Sequence, residues 1–258
     1  MSVQGFIFSR AVYPEKDARP IIAQVQFKQL LLDNCATVDD VIDICDTIRI
    51  QSPTNRFGQH YLACDSSGAC IAIDFVEGNT IFHTGENLPV TAYVDTAMYN
   101  ECIDYLNRHE GFGGSKPVGG SNNALDRFVP ASIGLKTKNL TIQDAFRILE
   151  NVEIEGYTQW QIVYDSNTHT LYYRTRLNSQ LRKLDVSRLD YSCEKPTLGA
   201  DMEAVDRGSI SALLKPYASE KHLLYLKELN RFYRLSEDMV ENISKYPKSF
   251  ICNQNHTK

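Results

Sequence analysis

The sequence predicts an α+β fold in which helices flank antiparallel strands, and three observations carry that expectation. Residues 17–34 and 37–48 repeat apolar side chains at helical spacing. Residues 60–75 alternate apolar and polar side chains about a turn. Residues 155–186 alternate again through a three-armed meander, set between helical patterns at 141–152 and 219–233. With 258 residues, 43% of them apolar, the chain can bury a sizeable core.

The elements follow in chain order. SVQGFIFSRAVY reads as a strand and ends in a proline-bounded loop. DARPIIAQVQFKQLLLDN (17–34) predicts a helix with Pro20 in its first turn and Ile21, Ile22, Val25 and Leu32 toward the core. Thr37 is the expected N-cap of the next helix, with Asp40 three residues on, and Val41, Ile44, Cys45 and Ile48 form its apolar stripe. HYLACDSSGACIAIDF (60–75) predicts a hairpin turning at 65–68. Its second arm carries apolar residues on both faces, as a sheet covered on two sides requires. NTIFHTG and PVTAYV read as shorter strands.

Helical spacing returns at 96–109 with Met98, Cys102, Tyr105 and Leu106, followed by the glycine-rich loop GFGGSKPVGGSN. Helices are expected at 123–135 and at 141–152, the latter capped by Thr141. In EGYTQWQIVYDSNTHTLYYRT (155–175), Trp160, Ile162 and Tyr164 share a face with Leu171, Tyr173 and Thr175, and QLRKLDV adds the third arm. From about residue 200 the pattern becomes helical. The expected organisation is one domain over 1–200 with a helical extension over 201–258 packed on it.

Several functions are excluded by composition. The formal charge is −5, and the densest basic group (Arg174, Arg176, Arg182, Lys183) follows strand spacing, so no nucleic-acid footprint is present. No apolar run approaches the ~20 residues of a membrane span, and no leader opens the chain. It reads as a soluble, cytoplasmic protein as written; an export or lysosomal signal would belong to a segment upstream.

The seven cysteines are expected to be reduced. Cys35, Cys45 and Cys102 act as small hydrophobes in helices, and Cys64 and Cys70 face each other across the 65–68 turn. The glycine-rich loop follows a helix, and its Lys116 precedes Pro117, which argues against a phosphate cradle. His60, Cys64 and Cys70 lack a fourth ligand, and no serine sits at a nucleophile elbow. No metal or cofactor is implied.

Four stretches together resemble the linear-amide C–N hydrolases, the family of choloylglycine (bile-salt) hydrolases, penicillin V acylases and N-acylethanolamine acid amidases. They are LLLDNCATVDDVID, the strands from HYLACDSSGAC to GENLPV, the helix and loop ECIDYLNRHEGFGG with SNNALDRFVPAS, and TIQDAFRILENVEIEGYTQWQIVYDSNTHTLYYRT followed by LRKLDV. The resemblance runs over about residues 1–190. It implies an N-terminal-nucleophile hydrolase, a four-layer αββα sandwich.

In that family a Cys at the chain's start attacks the amide carbon, its own α-amine acts as base, and the thioester formed is then hydrolysed. A downstream Asp and Arg position the Cys, an Asn serves the oxyanion hole, and a second Arg lies farther on. Arg127, in Leu125-Asp126-Arg127-Phe128, matches that distal Arg. The oxyanion Asn falls in VTAYVDTAMYNE, where this chain has Asp95 and Thr96, and a carboxylate there would repel the developing oxyanion.

MSVQGFIFS matches a family segment well downstream of the nucleophile. The catalytic Cys, its Asp and the proximal Arg are therefore expected to have no positions here, and the N-terminal strands to be missing from the fold. Two readings stand. One is the larger part of an amide hydrolase acting on a small N-acyl amide; the other is a degenerate paralogue acting as a non-catalytic binding or partner protein. Unpaired strand edges would favour homo-oligomers.

Overall fold

The hairpin over residues 60–75 lies at the centre of an antiparallel sheet. The computed structural model describes residues 1–52, 58–84, 99–119, 123–192, 195–233 and 236–248. The chain forms two compact units, Met1–Glu155 and Gly156–Lys258. The first unit runs β1 (Ser2–Phe8), β2 (Ile21–Ala23), α1 (Gln24–Asn34), α2 (Val38–Thr47), β3 (Arg49–Gln51), β4 (Gly58–Cys64), β5 (Cys70–Val76), β6 (Asn79–His83), α3 (Tyr99–Leu106), α4 (Ala124–Leu135) and α5 (Ile142–Asn151). Its main sheet has the order β1-β4-β5-β6.

Strand alternation sends two sets of side chains in opposite directions, and both are covered. Tyr61, Ile71, Ile73 and Phe75 pack with Phe27 and Leu31 of α1 and Val41 and Cys45 of α2. Leu62 and Ala72 pack with Cys102 and Leu106 of α3 and Phe128 and Val129 of α4. Each large apolar side chain fully buried this way contributes roughly 1.5–3 kcal/mol.

Capping places the helices. Thr37 and Asp40 form the expected capping box at α2, as Thr141 and Asp144 do at α5. The Asp65 carboxylate accepts from the backbone N–H of Ser67 and of Val38, tying the hairpin turn to the positive end of α2. Gly68 closes that turn at φ +87°, a backbone state that other residues resist.

Two expectations need correction. The helix expected over 17–34 begins only at Gln24. Pro20 lies outside it, its carbonyl accepting from the Arg49 N–H, and Ile21–Ala23 pair in parallel with β3. Branched Ile21 and Ile22 suit an extended strand better than a helix start. The core residues of α1 are accordingly Phe27 and Leu31, while Ile21 and Leu32 are exposed.

The second correction concerns Cys64 and Cys70, expected reduced, which form a disulfide. The β4–β5 register sets them directly opposite each other, and only the paired hairpin decides that register. The Cys64→Ser, Cys70→Ser double variant is expected to lose about 2 kcal/mol, because the bond closes only a short loop. Urea denaturation measures this; a midpoint equal to that of the unreduced protein would refute it.

The second unit runs β7 (Trp160–Asp165), β8 (Thr170–Thr175), β9 (Arg182–Asp185), β10 (Leu198–Gly199), β11 (Gly208–Ser209), β12 (Lys215–Pro216), α6 (Ser219–Tyr233) and α7 (Glu237–Lys245). The meander forms as expected, in the order β11-β9-β8-β7, and Trp160, Ile162 and Tyr164 lie opposite Thr175, Tyr173 and Leu171. Arg182 is fully buried. It donates to the Met202 and Asn178 carbonyls, Thr175 Oγ1 and Glu203, and its guanidinium lies over the Tyr173 ring. The tail carries the helix expected at 219–233, preceded by short strands too brief to leave a periodic signal. Thr197 and Tyr217 anchor it by donating to the Pro247 and Ser244 carbonyls.

Candidate active site

Arg127 lies in the first turns of α4. Asn123 caps that helix, its side chain accepting from the Leu125 N–H at 2.9 Å. Phe128, Val129 and Ala131 point into the core, which leaves Arg127 half-buried. Its Nη1 donates to the Val152 carbonyl at 3.1 Å, at the negative end of α5. The close approach of the two helices needs Gly134, where a Cβ would sit 2.5 Å from Ile148 Cγ1. Among the described residues the Arg127 Nε is buried with no hydrogen-bond partner. An unpaired N–H on a cation is costly to bury, so the guanidinium retains a donor for an anion or a carbonyl oxygen.

Beside it, the Tyr105 hydroxyl donates to Asp126 and accepts from Lys116 Nζ at 2.9 Å, and Lys116 also lies over the Tyr105 ring. The lysine of the glycine-rich loop thus holds α3 and α4 together. No sequence motif signals this contact, since its three residues come from separate elements. Asp95 and Thr96 lie outside the described residues.

A second polar group is buried within the sheet. Asp74 of β5 lies 3.0 Å from His83 Nε2 and 3.4 Å from His60 Nδ1. Burial pushes the Asp74 carboxyl upward, but the contacts with His60 and His83 outweigh it and hold it below the usual carboxylate range. His60 also packs against the Phe6 and Phe8 rings, and His83 stacks on Tyr99, the first residue of α3, at 4.2 Å. The sequence signal for the group was period-two alternation, which sets His60 and Asp74 on one face once the hairpin register is known.

The described cysteines are poorly suited to attack a carbonyl. Cys64 and Cys70 are joined, and Cys35, Cys45 and Cys102 are buried. Burial, then the neighbouring Cys35 and Asp46, pushes the Cys45 thiol up to about 12, and burial raises Cys35 as well. Among the described residues, no group of three His, Cys, Asp or Glu could hold a metal ion, and no helix is long and apolar enough to cross a membrane.

The α+β architecture has the fold of the N-terminal-nucleophile hydrolases, as its similarity to two solved structures shows. One is penicillin V acylase from Agrobacterium tumefaciens, with TM-score 0.70 and 22% identity over 84% of this chain and 74% of that one. Another is a variant of conjugated bile acid hydrolase from Clostridium perfringens, with TM-score 0.60 and 16% identity over 73% of this chain and 70% of that one.

Residues 2–199 match the linear amide C-N hydrolases, choloylglycine hydrolase family, and the chain belongs to that family. A curated relative, penicillin V acylase from Pectobacterium atrosepticum, is 23% identical over 239 residues, covering 77% of this chain. The chain spans 63% of that relative's length.

Proposed function

We propose that this chain supplies the Arg127-bearing scaffold of a hydrolase of linear amide C–N bonds. Its substrate is a small N-acyl amide of the N-acyl amino acid, bile-salt conjugate, penicillin V or N-acylethanolamine class. The observation that supports this reading most is the Arg127 Nε, buried and unpaired among the described residues, a donor held beside a capped helix start.

The same reading holds that residues 1–258 alone do not turn substrate over. The reaction needs a thiolate beside a free α-amine, and among the described residues the thiols are buried or oxidised. On this reading none of the described cysteines is the nucleophile. Purified residues 1–258, incubated with penicillin V, glycine-conjugated bile salts or N-acyl amino acids, are expected to release no amine above the buffer rate. Turnover that survives repurification would overturn this.

Asp95 favours the second reading, a non-catalytic binder, because a carboxylate at the oxyanion position opposes the chemistry. Calorimetric titration with an N-acyl amide distinguishes the two. Binding without turnover, abolished by Arg127→Ala, even after a Cys-bearing N-terminal segment is restored, would establish the binder.

A further inference from the structure

We infer that Lys116, Tyr105 and Lys136 are positioning residues, which clamp α4 at both ends to the glycine-rich loop and so fix where Arg127 presents its guanidinium. The inference rests on the reading that Arg127 is the donor of the amide-hydrolase site.

The need for a clamp arises in the sequence of α4 itself. Pro130 lies inside this helix. Proline has no N–H, so the carbonyl four residues earlier, that of Asp126, loses its helical partner, and the ring crowds it. The weakened turn is the one that carries Asp126 and Arg127. Asn123 caps its start, and the Arg127 N–H donates to the Asn123 carbonyl at 3.0 Å. The helix is short of a bond just where the site's cation leaves it.

Contacts from outside the helix hold this turn. The Tyr105 hydroxyl donates to the Asp126 carboxylate, and Lys116 Nζ donates to that hydroxyl at 2.9 Å from a position 4.6 Å over the ring. An ammonium and a carboxylate thus share one phenol, and each strengthens the other's hydrogen bond. At the far end, Lys136 is the C-cap of α4. Its Nζ donates to the Gly111 carbonyl at 2.6 Å and lies 3.6 Å over the Phe112 ring. The two fastenings stand about 15 Å apart along the helix axis. One would leave α4 free to pivot; two do not.

A clamp also needs a firm jaw, and the loop supplies it. The Lys116 N–H donates to the Arg108 carbonyl, the Glu110 N–H to the Lys116 carbonyl and the Gly114 N–H to the His109 carbonyl. Buried His109 donates from Nδ1 to the Tyr105 carbonyl at 2.9 Å. A Cβ at Gly114 would lie 2.1 Å from the Arg108 carbonyl, so only glycine allows the chain to fold back this closely. Phe112 packs on the buried cluster that contains Cys102, Leu106 and Phe128. The loop is therefore a fixed extension of α3. Exposed ammonium contacts hold little singly, but each of these faces both an oxygen and a ring, which selects one position for it.

Nitrogen-15 NMR of residues 1–258 reads Arg127 directly, its Nε–H signal being assigned by its loss in Arg127→Lys. Lys116→Met, Lys136→Met and Tyr105→Phe are each expected to speed exchange of that proton with water at least about threefold, with an unchanged far-ultraviolet dichroism spectrum. Lys116→Arg keeps a cationic donor over the ring and is expected to stay within about twofold of the original rate. Lys138→Met, at an exposed lysine just past α4, should leave the rate unchanged. Pro130→Ala returns the missing helical bond, so in that background the Lys116→Met effect should fall by at least about half.

An Nε–H rate unmoved by Lys116→Met, Lys136→Met and Tyr105→Phe would overturn the proposal. So would an equal change in Lys138→Met, or a Lys116→Met effect that Pro130→Ala leaves at full size. The measurement is made without ligand, so its outcome is separate from the amide titration that decides whether Arg127 serves a substrate.

Discussion

Asp74→Ala is expected to destabilise the first unit by about 1–3 kcal/mol, the cost of leaving buried hydrogen-bonding groups without their partner. Asp74 holds His60 and His83 on the core face of β5, with its side chain 2% exposed. Its loss leaves the His83 imidazole, stacked on Tyr99, without its hydrogen-bond partner and removes the carboxylate from beside His60. The pH dependence has a definite sign. The folded carboxyl lies below its unfolded value, so its stabilisation is present above the unfolded pKa, near ~4. That stabilisation is lost as pH falls through the folded value. Urea denaturation at pH 7 and at pH 3 should therefore show a smaller loss in Asp74→Asn at the lower pH. Equal losses at both would show that the charge contributes nothing.

Arg182→Ala is expected to cost about 3–5 kcal/mol in the second unit, for a different reason. The guanidinium joins β9 to the loop after β8 and to the 202–203 segment, so its removal strands the Met202 and Asn178 carbonyls and leaves a cavity over Tyr173. Arg182→Lys should recover less than half of this, because one ammonium cannot span partners on two sides of a planar fork. Hydrogen exchange over 182–185 and 199–209 measures the effect locally. Protection unchanged in Arg182→Ala would sink the claim.

Much of the architecture could be read before the structure. Thr37 and Thr141 announced their helices because a cap is a local contact, settled within four residues. The arms of both hairpins were legible because alternation is a property of each strand by itself. The start of α1 was not, since Ile21–Ala23 are drawn into pairing by β3, nearly thirty residues away. The Cys64–Cys70 bond was misread because compartment arguments address whether a thiol can oxidise, while register decides whether a partner stands opposite.

The candidate site divides the same way. Arg127 was identified from the resemblance carried by Leu125-Asp126-Arg127-Phe128, but its bond to Val152 and its unpaired Nε depend on how closely α4 meets α5 at Gly134. The Lys116–Tyr105–Asp126 contact and the Asp74 pair with His60 and His83 left no motif at all. By itself the sequence determined the α+β class, the helix caps, the hairpin arms and the family, because these follow from periodicity, local hydrogen bonding and motif order. Tertiary structure alone decided which polar groups were buried together, because that depends on residues distant in the chain being brought within a few ångströms.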